Sequence, residues 1–168
     1  MSRVDELTTV AASVPQVLRA LTTVSRFREW VAPDISVTPL SRGPTLGPGD
    51  RLRVEIVGAI GFEYLVEVVS DREVVFAFHG PWRGRERWSF VADGAETVVR
   101  RIYEVEDDSL LGTLAWRGIG RALVLAHFKL ELSRFRAAVE RDPGPRAEIE
   151  PRDADTPPTT PPFPVDEG

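Results

Sequence analysis

Apolar residues recur at two different periods along this chain, and the changes between them mark out its elements. Residues 3–12 (RVDELTTVAA) set Val4, Leu7 and Val10 among polar neighbours and β-favouring threonines, which predicts a first strand. Ser13 with Gln16 three residues on makes a capping box. Ala12 and Val17 form a small staple, and Pro15 sits in the first turn, where its missing N–H is harmless. Val14, Val17, Leu18 and Leu21 then describe a short amphipathic helix ending near Thr23. A second short helix over 25–31 (SRFREWV) carries Phe27 and Trp30 on one side and is stopped by Pro33.

Beyond Asp34 the period falls to two. Ile35 and Val37 lead into a Gly/Pro-rich connection, after which RLRVEIVG places Leu52, Val54 and Ile56 on one face. After a turn at 58–61, FEYLVEVV is expected to point Phe62, Tyr64, Val66 and Val68 inward, with Glu63 and Glu67 outward. EVVFAFHG, GRERWSFVA and ETVVRRIYEVE come next across tight turns, the order of an antiparallel meander. Helical spacing returns over 118–140, where Leu125, Phe128, Leu132, Phe135 and Val139 form one stripe. Glu131, Arg134, Arg136, Glu140 and Arg141 are expected mostly on the other side. From Ile119 to Phe128 this helix is apolar on nearly every side except at Arg121 and His127, so it should be well covered or border an enclosed space. Gly118, Ala122 and Ala126 are expected to let another backbone pack close, or to leave room that a ligand fills. The element order implies an α+β fold: a seven-stranded curved antiparallel sheet wrapped around a long C-terminal helix, with two short helices after strand 1.

Composition adds a boundary. Of the 14 prolines, eight lie after Arg141 in a stretch almost without large apolar residues, so residues 1–141 read as one domain and 142–168 as a disordered tail. Within it TPPTTPPFP offers a polyproline ligand to a groove-bearing partner, or simply a solvating appendage. A net charge of −5 argues against a nucleic-acid partner. Without cysteine there is no disulfide, thiol nucleophile or zinc-thiolate site. No run reads as a signal peptide or membrane span, so a cytoplasmic protein is expected, and Lys129 as the lone lysine among many arginines suggests a GC-rich bacterial genome. GPTLGPGD lacks the Lys-Ser/Thr and helix start of a phosphate loop, and no G-x-S-x-G elbow occurs.

Candidate chemistry gathers on the later strands and the final helix. Glu86 shares a parity with Trp88 and Phe90, so it should point inward, where a carboxylate needs a cation. Arg100 and Arg101 on the next strand offer one whichever way that strand faces. Glu86 with one of them makes either a polar pair in a cavity wall, able to orient a carbonyl or enol, or a pair near the sheet edge with no catalytic part. Tyr64 and Tyr103 are further donors. His127 is a candidate general acid or base. His79 is placed near a cavity mouth, and Trp82 and Trp116 are placed at an entrance or over the core. The two histidines lack the carboxylate cluster of a metal site, so no metal is expected.

The opening ASVPQVLRAL, Trp30 closing the second helix, the turn before Arg51, the run GPWRGRERWSFVADGAETVVRRIYEV and the long terminal helix together resemble the START-like helix-grip (SRPBCC) superfamily. Within it they are most similar to the polyketide cyclase/dehydrase and lipid-transport group of bacteria. The resemblance implies a deep cavity between the concave sheet and the N-terminal half of the last helix, holding a hydrophobic small molecule. It implies cyclisation or dehydration of a polyketide-like ligand without a cofactor, or else a non-catalytic carrier or sensor of a lipid-like one. Trp30 and Trp88 stand where aromatase/cyclase members have pocket tryptophans. The arginine such members use on the fourth strand is absent here, Val68 standing at the inward position. The catalytic candidates are thus Glu86, Arg101, Tyr103 and His127. Trp30, Tyr64, Phe78, Trp88, Phe90, Trp116 and Leu123 are the expected ligand contacts.

Overall fold

A computed structural model of the chain describes residues 2–56, 60–106, 110–142 and 144. Seven strands, β1 (Ser2–Val10), β2 (Ile35–Pro39), β3 (Arg51–Ile56), β4 (Ile60–Val69), β5 (Glu73–His79), β6 (Arg83–Asp93) and β7 (Glu96–Val105), form a single antiparallel sheet. Its order is β1-β7-β6-β5-β4-β3-β2, so β2 to β7 run as a meander and β1 closes on its far end. Between β1 and β2 lies α1 (Val14–Thr22), followed by a 3-10 turn (Val24–Arg26) that runs into the single-turn α2 (Phe27–Trp30). The capping residues act as their sequence suggests: Ser13 N donates to Gln16 Oε1 at 2.9 Å.

The terminal helix starts earlier than its stripe implies. Helix α3 (Leu110–Ala115) passes through a π turn (Trp116–Gly120) directly into α4 (Arg121–Glu140). On α4, Val124, Phe128, Leu132, Phe135 and Val139 are buried, while Leu125 is only partly covered. Of the two expectations for 119–128, fuller cover is corrected, while on the inner side Val124, His127 and Phe128 do border an enclosed space. Ile119 is 69% exposed, Ala122 and Ala126 face solvent, and a Cβ on Gly118 would meet nothing within 4 Å. The small residues therefore admit neither a second backbone nor a ligand. Leu110, Leu111 and Leu114 are exposed on the same leading segment.

Strand β4 also departs from its expected alternation, because it carries a β-bulge. Its register against β5 shifts between Val66 and Val68, and the extra residue reverses the facing of the two valines after it. Val66 is buried, Val68 points outward, and Val69 packs on the core in its place. On β1, Val4 and Val10 are buried but Leu7 is exposed, as strict alternation demands. The turn expected at 58–61 lies largely outside the described residues, as does nearly all of the Pro-rich tail. Asp142 is tied back to the fold by Arg26 at 2.6 Å and by Gln16 Nε2, which donates to its carbonyl at 2.9 Å.

The interior divides into two apolar clusters. One gathers α1, α2, Trp88, Phe90 and the C-terminal half of α4. The other gathers Phe62, Phe78, Trp82, Tyr103, Trp116 and Phe128. Arg101 lies at their seam, its guanidinium 4.6 Å from the ring centre of Trp88 and 3.8 Å from that of Phe128.

Candidate functional site

Strand alternation puts Glu86 and Trp88 on the inner face of β6, opposite Tyr103 and Arg101 of β7 in the ladder. Arg101, not Arg100, is the inward arginine; Arg100 lies on the outer face and pairs with Asp5. Arg101 Nε donates to Glu86 Oε1 at 2.8 Å, and its Nη1 donates to Glu131 Oε2 at 2.6 Å. Trp88 Nε1 adds a 2.7 Å bond to Glu86 Oε1, and Ala32 N donates to Glu131 Oε1 at 3.2 Å. All three charged residues are at most 6% exposed. Burial works against the guanidinium charge, but the fields of Glu86 and Glu131 and their hydrogen bonds outweigh it and raise the Arg101 pKa, so its cation is permanent.

Glu131 lies on the face opposite to the one its charge suggests. It is buried, three residues after Phe128 and four before Phe135, and so belongs to the apolar stripe by spacing alone. That interval is the signal in the sequence; the usual solvation of a helix glutamate masks it.

A hollow of about 90 Å³ lies between sheet and helix, with Glu86, Arg101 and Glu131 in its wall beside Trp30, Tyr64, Trp88 and Tyr103. Val54, Phe62, Phe76, Trp82 and Val124 complete much of the apolar lining. The free space equals roughly three water molecules, well short of a deep pocket. A shallow groove between α2 and β2 shares Phe27, Val31, Ile35 and Val37 with it, which marks that rim as the thin side.

Two tyrosines face the hollow as neutral donors. Trp82 Nε1 donates to the Tyr103 hydroxyl oxygen at 3.0 Å, leaving the hydroxyl proton for another acceptor. Burial, reinforced by nearby negative charge, pushes both Tyr64 and Tyr103 above the ordinary phenol range.

His127 reaches the same hollow but is engaged at both ring nitrogens. Nδ1 lies 2.8 Å from the Leu123 carbonyl and Nε2 2.9 Å from Asp34 Oδ2. Both partners can only accept, so the geometry suits an imidazolium donating twice. Partial burial opposes that charge, but the Asp34 hydrogen bond prevails and raises the His127 pKa, while the same bond lowers that of Asp34. Asp34 carries no signal in the sequence.

Four expected ligand contacts do not line the hollow. Phe78 faces inward but is covered by Tyr103, stacked on it at 4.4 Å between ring centres, and Phe76 takes the lining position. Phe90 belongs to the core under α1. Trp116 is buried against Trp82 and Tyr103, and Leu123 packs behind Val124 on the second cluster. His79 is exposed, 4.0 Å from Glu63 at the sheet surface, and does not line the hollow. Trp82, expected at an entrance or over the core, is buried and lines the wall. Among the described residues no cluster of His, Asp or Glu is arranged to hold a metal ion.

No family model matches the chain, and no curated protein matches it in sequence. Solved structures do. The Zhui aromatase/cyclase from Streptomyces sp. R1128 is 18% identical with a TM-score of 0.64, over 83% of this chain and 94% of that one. CV1439 from Chromobacterium violaceum is 13% identical with a TM-score of 0.65, over 83% and 98%. DynU16, from the dynemicin biosynthetic locus, is 16% identical with a TM-score of 0.63, over 84% of this chain but only 48% of that one. Likeness at this level lies in the backbone: a meander closed by β1 and gripping a long terminal helix, the α+β helix-grip fold, is what this chain shares with an aromatase/cyclase and its structural neighbours.

Proposed function

We propose that the chain encloses a hydrophobic, polyketide-like small molecule between its sheet and α4 and promotes cyclisation or dehydration of that molecule. The observation that carries this reading is the buried Glu86–Arg101–Glu131 array opening onto a hollow lined mostly by aromatic and aliphatic side chains. All hydrogen bonds described for Glu86 use Oε1, and those of Arg101 use Nε and Nη1. Glu86 Oε2 and Arg101 Nη2 are therefore left for a ligand. Oε2 is the base that removes a proton from the carbon between two carbonyls. Nη2 and the Tyr103 hydroxyl hold the enolate oxygen so formed, and the apolar wall folds the chain so that this carbon adds to a distant carbonyl, whose oxygen takes back the proton held by the Glu86 carboxyl. In a dehydration the Glu86 carboxyl returns the proton to a β-hydroxyl, which leaves as water.

Binding pockets for molecules of this size hold roughly 300 Å³ or more. Entry must therefore move the thin rim at Phe27, Val31 and Val37 outward, joining the hollow to the groove between α2 and β2. The fold likeness to an aromatase/cyclase supports the reaction class. We assign no cofactor.

A carrier or sensor without turnover is the second reading, favoured by His127, whose two ring nitrogens are both occupied and cannot accept a proton as they stand. A linear aryl triketone whose ring closure is monitored by absorbance separates the two. As an enzyme, the chain should accelerate closure, and Glu86→Gln should cut the rate about 100-fold or more while binding persists. No acceleration by the intact chain, with binding retained, would favour the carrier.

A further inference from the structure

The array in the wall is not electrically balanced. Glu86 and Glu131 share the single guanidinium of Arg101, leaving one formal negative charge inside a low-dielectric interior. The other ionisable groups do not offset it. From α4, His127 also lines the hollow, but its charge is matched by Asp34 of the segment before β2. Tyr64 of β4 and Tyr103 of β7 are neutral. Glu86 Oε2, the acceptor with no partner among the described residues, belongs to this surplus charge. Trp30 and Trp88 beside it present aromatic rings that favour positive charge.

Resting on the cavity reading above, we infer that the ligand meets Glu86 Oε2 with an uncharged or cationic hydrogen-bond donor, best a protonated nitrogen, and that carboxylates and phosphates are excluded. A free fatty acid or a phospholipid headgroup would set its anion against the surplus charge. A hydroxyl, enol or ammonium completes the array. Arg101 does not rescue a ligand that arrives as an anion: its Nη2 is free to donate, but its single positive charge is already shared by the two glutamates.

Three probes of one size test this: benzylammonium, benzyl alcohol and benzoate, titrated at neutral pH into the full chain. The readout is the indole N–H resonances of Trp30 and Trp88, whose Nε1 atoms bond Ala20 O and Glu86 Oε1. Benzylammonium should bind about tenfold more tightly than benzyl alcohol, the worth of one charge-assisted hydrogen bond, and benzoate at least about tenfold more weakly than the alcohol. Glu86→Gln removes the surplus charge and should bring the three within a factor of about three. Glu131→Gln serves if that variant does not fold, and the order in the unmodified chain is decisive without either. Benzoate binding as well as the alcohol, or a Glu86→Gln chain keeping the original order, overturns the charge inference alone. Failure of benzyl alcohol to move either resonance removes the cavity reading, and this inference with it.

Discussion

Removing Arg101 would leave Glu86 and Glu131 buried with no cation between them, and the cost of that should dominate any lost packing. Arg101→Met is expected to lower the unfolding free energy by about 3–5 kcal/mol in urea denaturation. Replacing Glu86, Arg101 and Glu131 together by Leu, Met and Leu should recover most of that loss, since apolar residues of similar volume avoid the desolvation altogether. A triple variant as unstable as the single one would mean that the array is held for its own stability, not for a ligand. The second ionic site depends on pH through both of its partners. The His127 pKa is raised above its ordinary 6.5, so the Asp34–His127 contribution is complete below that value and is lost as pH rises through the higher folded one. The Asp34 pKa is lowered from 3.8, so the contribution also fades as pH falls through that depressed value. The melting-temperature deficit of His127→Gln should therefore be largest at about pH 5–6 and shrink toward alkaline pH. A deficit constant with pH would show that the ring acts by packing alone. Of these residues, Glu86 is legible because β6 alternates cleanly, and Arg101 is one of two alternatives. Glu131 and Asp34 are not, because a charged residue on a helix or in a loop looks solvated until its partner is known.

At the scale of elements, the strands keep their period-two pattern wherever the ladder is regular, and depart from it where one residue is inserted. Nothing in FEYLVEVV announces the bulge after Val66, since Val68 and Val69 are equally apolar and either can face the core. Glycines divide by the same logic of local crowding. A Cβ at Gly84 would lie 1.8 Å from the Glu104 carbonyl oxygen on the adjacent strand, so β6 and β7 could pair there only by moving apart. Gly84→Ala should cost about 3 kcal/mol or more, or prevent soluble expression. Gly118→Ala, in the exposed helical segment, should be neutral or raise stability by up to about 1 kcal/mol. Thermal melts of the two variants check this contrast. A tolerated Gly84→Ala would contradict the tight β6–β7 approach. The terminal helix is legible in its C-terminal half, where one face is buried. Its leading half misleads because apolar composition is not burial: Leu110, Leu111, Leu114 and Ile119 lie on the surface.

On the scale of the whole molecule, the order of elements is enough to reach the fold, since a meander of short alternating strands and one long amphipathic helix have few ways to cover each other. The site is less legible. Its hollow is the space left after two apolar clusters have packed, and no periodicity in the sequence encodes a volume. That hollow, small at about 90 Å³ and thin at the α2–β2 rim, is what both functional readings share. Equilibrium dialysis of a neutral aromatic probe such as 2-naphthol, into the native chain and into Val54→Trp, tests it most directly, because Val54 lines the hollow from a half-buried strand and an indole there would fill it. Saturable one-to-one binding by the native chain, lost in a Val54→Trp variant that still folds, is the expected result. Absence of saturable binding to the native chain, or undiminished binding to the filled variant, would contradict the account.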